Sequence, residues 1–288
     1  MSLKRLIAGT ALALLASSSA MAAPALWRVS DADSSIWLFG SVHLLKPGTD
    51  WRTQLFDDLL VTVDKVYFEA DVGAESQAQI APLTFEVGYY RDGTLLSQRL
   101  DDETMAQLRE VASAFDLPVP LLLIMRPWMV ATTLSVLGLT EDDYDPQLGV
   151  ELVLGAEVEK ARSFYLETPE EQIMMLSGGD ESEEISMLKA TLDSMDTMSA
   201  DIERMVDAWL AGTPEQLGEE FMAQMGGYDE SFVTRLIDER NANWAEQIEQ
   251  MLEKNEEALL VVGAAHLIGD VSVVKMLEDK GFTSERVQ

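Results

Sequence analysis

The chain contains two histidines, His43 and His266, and each ends the same local pattern, an apolar run closing in Gly-x-x-His-Leu or Gly-x-x-His followed by Leu-Ile. The first is IWLFGSVHLL and the second LLVVGAAHLI, at opposite ends of the sequence. Gly40 and Gly263 stand where a buried strand ends, and the lack of a Cβ there permits a sharp turn or close backbone approach. Each imidazole is thereby expected above the edge of a sheet, and the matched pair is expected to face one site. Two neutral imidazoles and one carboxylate make a three-ligand metal site with a position open for water, suited to zinc and feasible for manganese or cobalt. Glu69, ending the run VYFEAD, supplies that carboxylate in this reading. A bound ion would lower the pKa of its water towards neutrality, and a nearby base, for which Glu167 in YLET is the candidate, would complete a hydrolase. Without a metal, one histidine acts as general base while Glu69 orients it.

Four strands are needed to carry these groups. ALWRVSDADSSIWLFGSVH reads as a hairpin about the polar turn Ser30 to Ser35; VYF, SFY and ALLVV give further short strands ending in Glu69, Glu167 and Gly263. Between them DDETMAQLREVASAF, PLLLIMRPWMVATTLSVLG, the acidic stretch from Glu181 to Leu210 and DESFVTRLIDERNANWAEQIEQMLEKN recur apolar at helical steps. Thr168-Pro169 and Thr213-Pro214 mark two helix starts with capping boxes. The expected fold is α/β: a central mixed sheet with an N-terminal hairpin, functional residues at the carboxyl ends of strands, and a large helical layer. The methionines of the helices, Met174, Met175 and Met187 among them, are read as core.

Arg240 and Trp244 in ERNANW, and Arg126 and Trp128 in RPW, put cations among acidic or apolar helices. Arg240 either clamps a carboxylate or oxyanion or pairs with one of the many acids. Asp145 before Pro146 is read as turn chemistry. No G-x-S-x-G elbow or H-E-x-x-H helix is present, and with no cysteine there is no thiol nucleophile, disulfide or thiolate metal site.

Fifty-one Asp and Glu against 20 Lys and Arg give a net charge of -31, which disfavours nucleic acid and anionic lipid as partners. The expected partner is a peptide or small-molecule substrate. Residues 1–22 have the layout of a cleaved signal peptide: basic Lys4 and Arg5, an apolar stretch too short to span a bilayer, then small residues. Residues 23–288 then form one domain, periplasmic or secreted and not inserted in a membrane.

Taken together, IWLFGSVHLL, VYFEAD, RPW, YDPQLGVEL, FYLETPEEQ, ERNANW and VVGAAHLIGD resemble the TraB/PrgY/GumN family, which includes the TIKI proteases, from about Leu26 to Phe282. The resemblance implies a hydrolase-like site of His43, Glu69 and His266, with Arg240 and Asn241 matching a further motif. It implies a metal-dependent protease favouring manganese or cobalt. The fold it implies is related to erythromycin-esterase-like and haem-binding ChaN-like proteins, so a non-catalytic haem, iron or peptide-signal binder is the alternative. Glu151 in GVEL stands where relatives often carry Asp, which keeps the charge.

Overall fold

The computed structural model describes residues 22–288; the expected signal peptide lies outside the described residues. A six-stranded mixed sheet in the order β4-β3-β5-β2-β1-β6 forms the centre. Its hairpin, β1 (Leu26–Ser30) and β2 (Ser35–Ser41), is closed by Asp31, whose carboxylate accepts the N–H groups of Asp33 and Ser34 at 3.1 and 2.8 Å. That is the turn chemistry the sequence signals. β3 (Lys65–Phe68), β4 (Ser163–Tyr165) and β5 (Ala258–Gly263) run parallel with β2, while β1 is antiparallel to both β2 and β6 (Thr283–Arg286). β6 was not expected from the sequence: TSER carries no apolar pattern, and it adds to the edge of β1 by backbone pairing, with Arg286 Nη2 also donating to Gly212 O at 2.6 Å.

β5 is buried along its whole length, which is why ALLVVG reads as an unbroken apolar run rather than an alternating one. Leu259 and Val261 face a core with Phe39, Phe56 and Trp209; Ala258, Leu260 and Val262 face another with Trp244, Ile248 and Leu277. α1 (Gln54–Thr62), α6 (Val150–Glu157) and α9 (Met198–Leu210) supply residues to the first, and α12 (Glu239–Glu253) and α13 (Val273–Asp279) to the second. A third cluster lies in the helical layer, where α3 (Asp102–Ala114), α5 (Pro127–Glu141) and α8 (Glu181–Ser194) pack together. The remaining helices are α2 (Ala74–Gly88), α4 (Val119–Leu122), α7 (Pro169–Ser177), α10 (Pro214–Met225) and α11 (Glu230–Val233).

Four expectations are corrected. PLLLIMRPWMVATTLSVLG is two helices, because Pro127 disfavours helical backbone at Arg126, which is extended at ψ 157°. The acidic stretch from Glu181 to Leu210 breaks between α8 and α9. The box at Thr168 forms, its hydroxyl accepting from Glu171 N–H, but Thr213 makes no such cap; its hydroxyl donates to Ala208 O at 3.0 Å. The methionines divide: Met187 and Met198 are buried, whereas Met174 is 47% exposed. Among the described residues no helix is long and apolar enough to cross a membrane.

Candidate active site

The four parallel strands end on one edge of the sheet, and each is followed within three residues by a polar group: Glu167 after β4, Glu69 after β3, His266 after β5, which closes at Gly263, and His43 after β2. Strand order therefore becomes site order. The two Gly-x-x-His segments lie side by side, with Gly40 opposite Val262 and Ser41 opposite Gly263. Gly40 lets the end of β2 touch the turn after β5, since a Cβ there would sit 3.0 Å from both Cα and Cβ of Ala264. Gly263 marks the centre. A Cβ at that position would lie 3.2 Å from Glu69 Oε1, 3.4 Å from His266 Cδ2 and 3.7 Å from His43 Nε2.

His43 is held from behind by a segment that the sequence marks only as a turn at Asp145-Pro146 and as part of the family resemblance. Leu45 and Asp145 exchange backbone hydrogen bonds at 3.4 and 3.0 Å, Val150 N–H donates to Val42 O at 3.0 Å, and a Cβ on Gly149 would overlap His43 O at 2.1 Å. This docking brings Glu151, in the first turn of α6, to 3.0 Å from His43 Nδ1. Ser41 Oγ donates to the same carboxylate oxygen. The dyad fixes Nδ1–H towards Glu151 and turns Nε2 towards Gly263. The negative charge of Glu151 raises the His43 pKa from 6.5 towards about 9 against the opposing effect of burial; with 59% of the side chain exposed, water screens part of that pull.

His266 is set differently. Asn241 Nδ2 donates to Val271 O at 2.7 Å, so its Oδ1 is the acceptor for His266 Nδ1–H, also at 2.7 Å. The ring packs at a tilt of 51° against Trp244, centroids 4.5 Å apart, and takes Arg240 Nη1–H on Nε2 at 3.1 Å. Burial, with the charge of Arg240 added, lowers its pKa to about 3, so it is a neutral imidazole. Glu69 is buried as well, which opposes ionisation, but the Arg240 charge and the Gly263 N–H (2.6 Å to Oε1) outweigh it and hold the pKa at about 2.

Arg240 ties these groups together, and its bonding can be counted through. Nε donates to Glu167 Oε1 at 2.9 Å; Nη2 to Glu69 Oε2 at 2.6 Å and Glu167 Oε2 at 3.0 Å; Nη1 to Leu236 O at 3.3 Å and His266 Nε2 at 3.1 Å. All five guanidinium N–H groups are thus used. The sequence reading left Arg240 open between carboxylate clamp, oxyanion donor and partner of an acid; in the structure it pairs with two buried acids and has no N–H to spare. Glu167 is engaged by it and is not a free base. A π-helical turn, Thr234–Asp238, immediately precedes Arg240 and Asn241. Arg126 is not brought to this cluster: it forms a forked ion pair with buried Glu184 in the helical layer. Asp145 caps a 3-10 turn through Gln147 N–H, as read.

The site opens into a cleft of about 370 Å³ lined by His43, Glu69, Glu151, Gln172 and Arg240, with apolar walls from Val72, Leu152 and Met175. Gln172 Nε2 reaches Glu69 Oε2 at 3.3 Å. Glu151, Ser41, Gly149 and Gln172 were missed as functional residues; only the Gly-Val-Glu after Asp-Pro signalled a capped turn leading into an acid.

The donor set expected for a metal converges, but it is not arranged as a preformed ion site. His266 Nε2, the atom that would ligate, already accepts from Arg240, and a divalent ion there would sit against a fixed guanidinium charge. Among the described residues no three His, Asp or Glu side chains are grouped to hold one ion. The residues as placed therefore do not fit a resident divalent metal.

Acid stability reports this arrangement. The unfolded chain protonates His266 below about 6.5, whereas the folded chain resists to about 3, so folding stability falls as pH drops through that window. The Glu69 contribution is present above 4.5 and is lost as pH falls towards about 2. His43 has the opposite sign and acts above 6.5, its contribution fading as pH rises towards about 9. Between 6.5 and 4.5 His266 is the histidine that contributes, and comparison with a variant lacking it cancels carboxylates such as Glu184, whose pKa burial raises above 4.5. Urea titrations of wild type should show a loss of up to about 1.4 kcal/mol per pH unit there relative to His266→Gln, which cannot titrate. Parallel curves would mean that His266 is not buried neutral.

A protein-family model described as the TraB/PrgY/gumN family matches residues 25–286. No curated protein and no solved structure gives a significant match.

Proposed function

The chain belongs to the TraB/PrgY/gumN family, and from that premise we propose that it is an exported hydrolase that cleaves peptide or related acyl bonds with water activated by His43. The observation that carries the reading is the convergence of His43 Nε2, Glu69 Oε1 and His266 on the space above Gly263, beside an open cleft. A water held between Glu69 Oε1 and His43 Nε2 would lose its proton to the imidazole as its oxygen attacks the substrate carbonyl. The imidazolium, balanced by Glu151, then returns that proton to the leaving nitrogen or oxygen as the bond breaks. Glu69, low in pKa, orients water but is a weak base; Arg240 and the Gly263 N–H fix Glu69 and keep it ionised. The mixed apolar and polar wall of the cleft suits a peptide side chain. Export is supported by the N-terminal Lys-Arg, apolar and small-residue sequence.

The saturated guanidinium favours metal-independent catalysis over the metallopeptidase that the family resemblance implies. The test is hydrolysis of a fluorescence-quenched peptide library by the mature protein, before and after exhaustive chelation, beside elemental analysis. Unchanged rates and substoichiometric metal are expected. Loss of activity on chelation with recovery by manganese, cobalt or zinc would reinstate the metal-dependent reading. Absence of any turnover together with tight haem binding would favour the binding-protein alternative.

A further inference from the structure

A second cavity, of about 650 Å³, lies between α10, the run from Glu230 to Asp238 and the loop that follows His266. Its floor is apolar, with Met222, Ile237, Ile268 and Val271; Met222 is 60% exposed and Val271 45%. Its rim carries Glu215, Glu219, Glu230, Asp238 and Asp270 and no lysine or arginine. Carboxylates are common in this chain, but many are paired: Glu183 with Arg235, Glu220 with Arg204, Asp101 with Lys189. Among the described residues these five have neither an ion pair nor a side-chain hydrogen bond.

We propose that this groove binds a peptide segment in which apolar side chains are flanked by lysine or arginine. Apolar area left in water gains by burial, and unpaired carboxylates gain by meeting cations that the chain itself does not supply. The same rim argues against the other occupants: a second copy would set like charges face to face, and anionic headgroups would be repelled. The groove is distinct from the catalytic cleft. Val233, Thr234, Ile237 and Asp238 line it, while Leu236 and Arg240 line the cleft, so one helical stretch divides the two.

The experiment measures binding of a fluorescein-labelled amphipathic Leu/Lys peptide to the mature protein by anisotropy, with Leu/Glu and Ser/Lys peptides as controls. Binding of the Leu/Lys peptide alone, weakening as salt rises, is expected. The Glu215→Lys/Glu219→Lys double variant and Met222→Ser, all at exposed positions, should each weaken it about ten-fold, while His43→Ala leaves it unchanged. Equal binding of the Ser/Lys peptide, or indifference to all three groove substitutions, would reduce the effect to non-specific attraction by a -31 surface and overturn the proposal. Loss of binding in His43→Ala would move the peptide to the catalytic cleft, and preferential uptake of zwitterionic vesicles at this face would replace the peptide by a membrane; either overturns it too.

Discussion

His43→Ala is expected to lower kcat/KM on the peptide library by about 10²- to 10⁴-fold while leaving the thermal midpoint within a few degrees of wild type. The size is that of a positioned general acid-base group. The small structural cost follows from exposure: the side chain is 59% accessible, and its one polar partner, Glu151, retains the Ser41 hydroxyl when the ring is removed. A second variant separates loss of the base from loss of shape. Since Glu151 raises the His43 pKa, and a base works only when deprotonated, the wild-type rate should climb with pH through a value above 6.5. Glu151→Gln removes the charge and keeps the size, so that limb should move to lower pH even as the maximal rate falls. A limb that stays put, or a His43→Ala enzyme of full activity, would remove His43 from the chemistry.

The route from sequence to this site ran through the strand ends. An apolar run that stops at a glycine or an acid says where a strand leaves the core, and parallel neighbours then place all such ends on one edge, so His43, Glu69, Glu167 and His266 were legible before any tertiary contact was known. The pairing among them was not. Glu167 is a candidate base and Arg240 stays open between a clamp and an ion-pair partner as long as each is weighed alone; in the fold they neutralise each other, since β4 and the start of α12 approach the same edge. Glu151 was hidden for another reason. Its reach to His43 depends on the Leu45–Asp145 bridge and on the absence of a side chain at Gly149, both contacts between segments remote in sequence. Local pattern cannot carry such information, and β6 escaped for the same cause, being a strand by virtue of its neighbour rather than of its residues.

Arg240→Met should be the most destabilising exchange in the site, by about 3–5 kcal/mol in urea unfolding at neutral pH, because it strips two buried carboxylates of their counter-ion. Arg240, Glu69 and Glu167 have side chains 10%, 8% and 7% exposed, so water cannot replace the lost bonds, and His266 Nε2 loses its donor at the same time. Arg240→Lys should recover only part of the loss: an ammonium has three donors for five acceptors, and its point charge cannot fork across two carboxylates. The argument turns on charge rather than volume, and the triple variant Glu69→Gln/Glu167→Gln/Arg240→Met tests that. It removes the uncompensated charges and should regain most of the stability of wild type while remaining inactive, since no ionised Glu69 is left to hold water. A triple variant as unstable as Arg240→Met would show that the guanidinium is needed for its packing on Trp244, 4.6 Å away, and not as the cation of this edge.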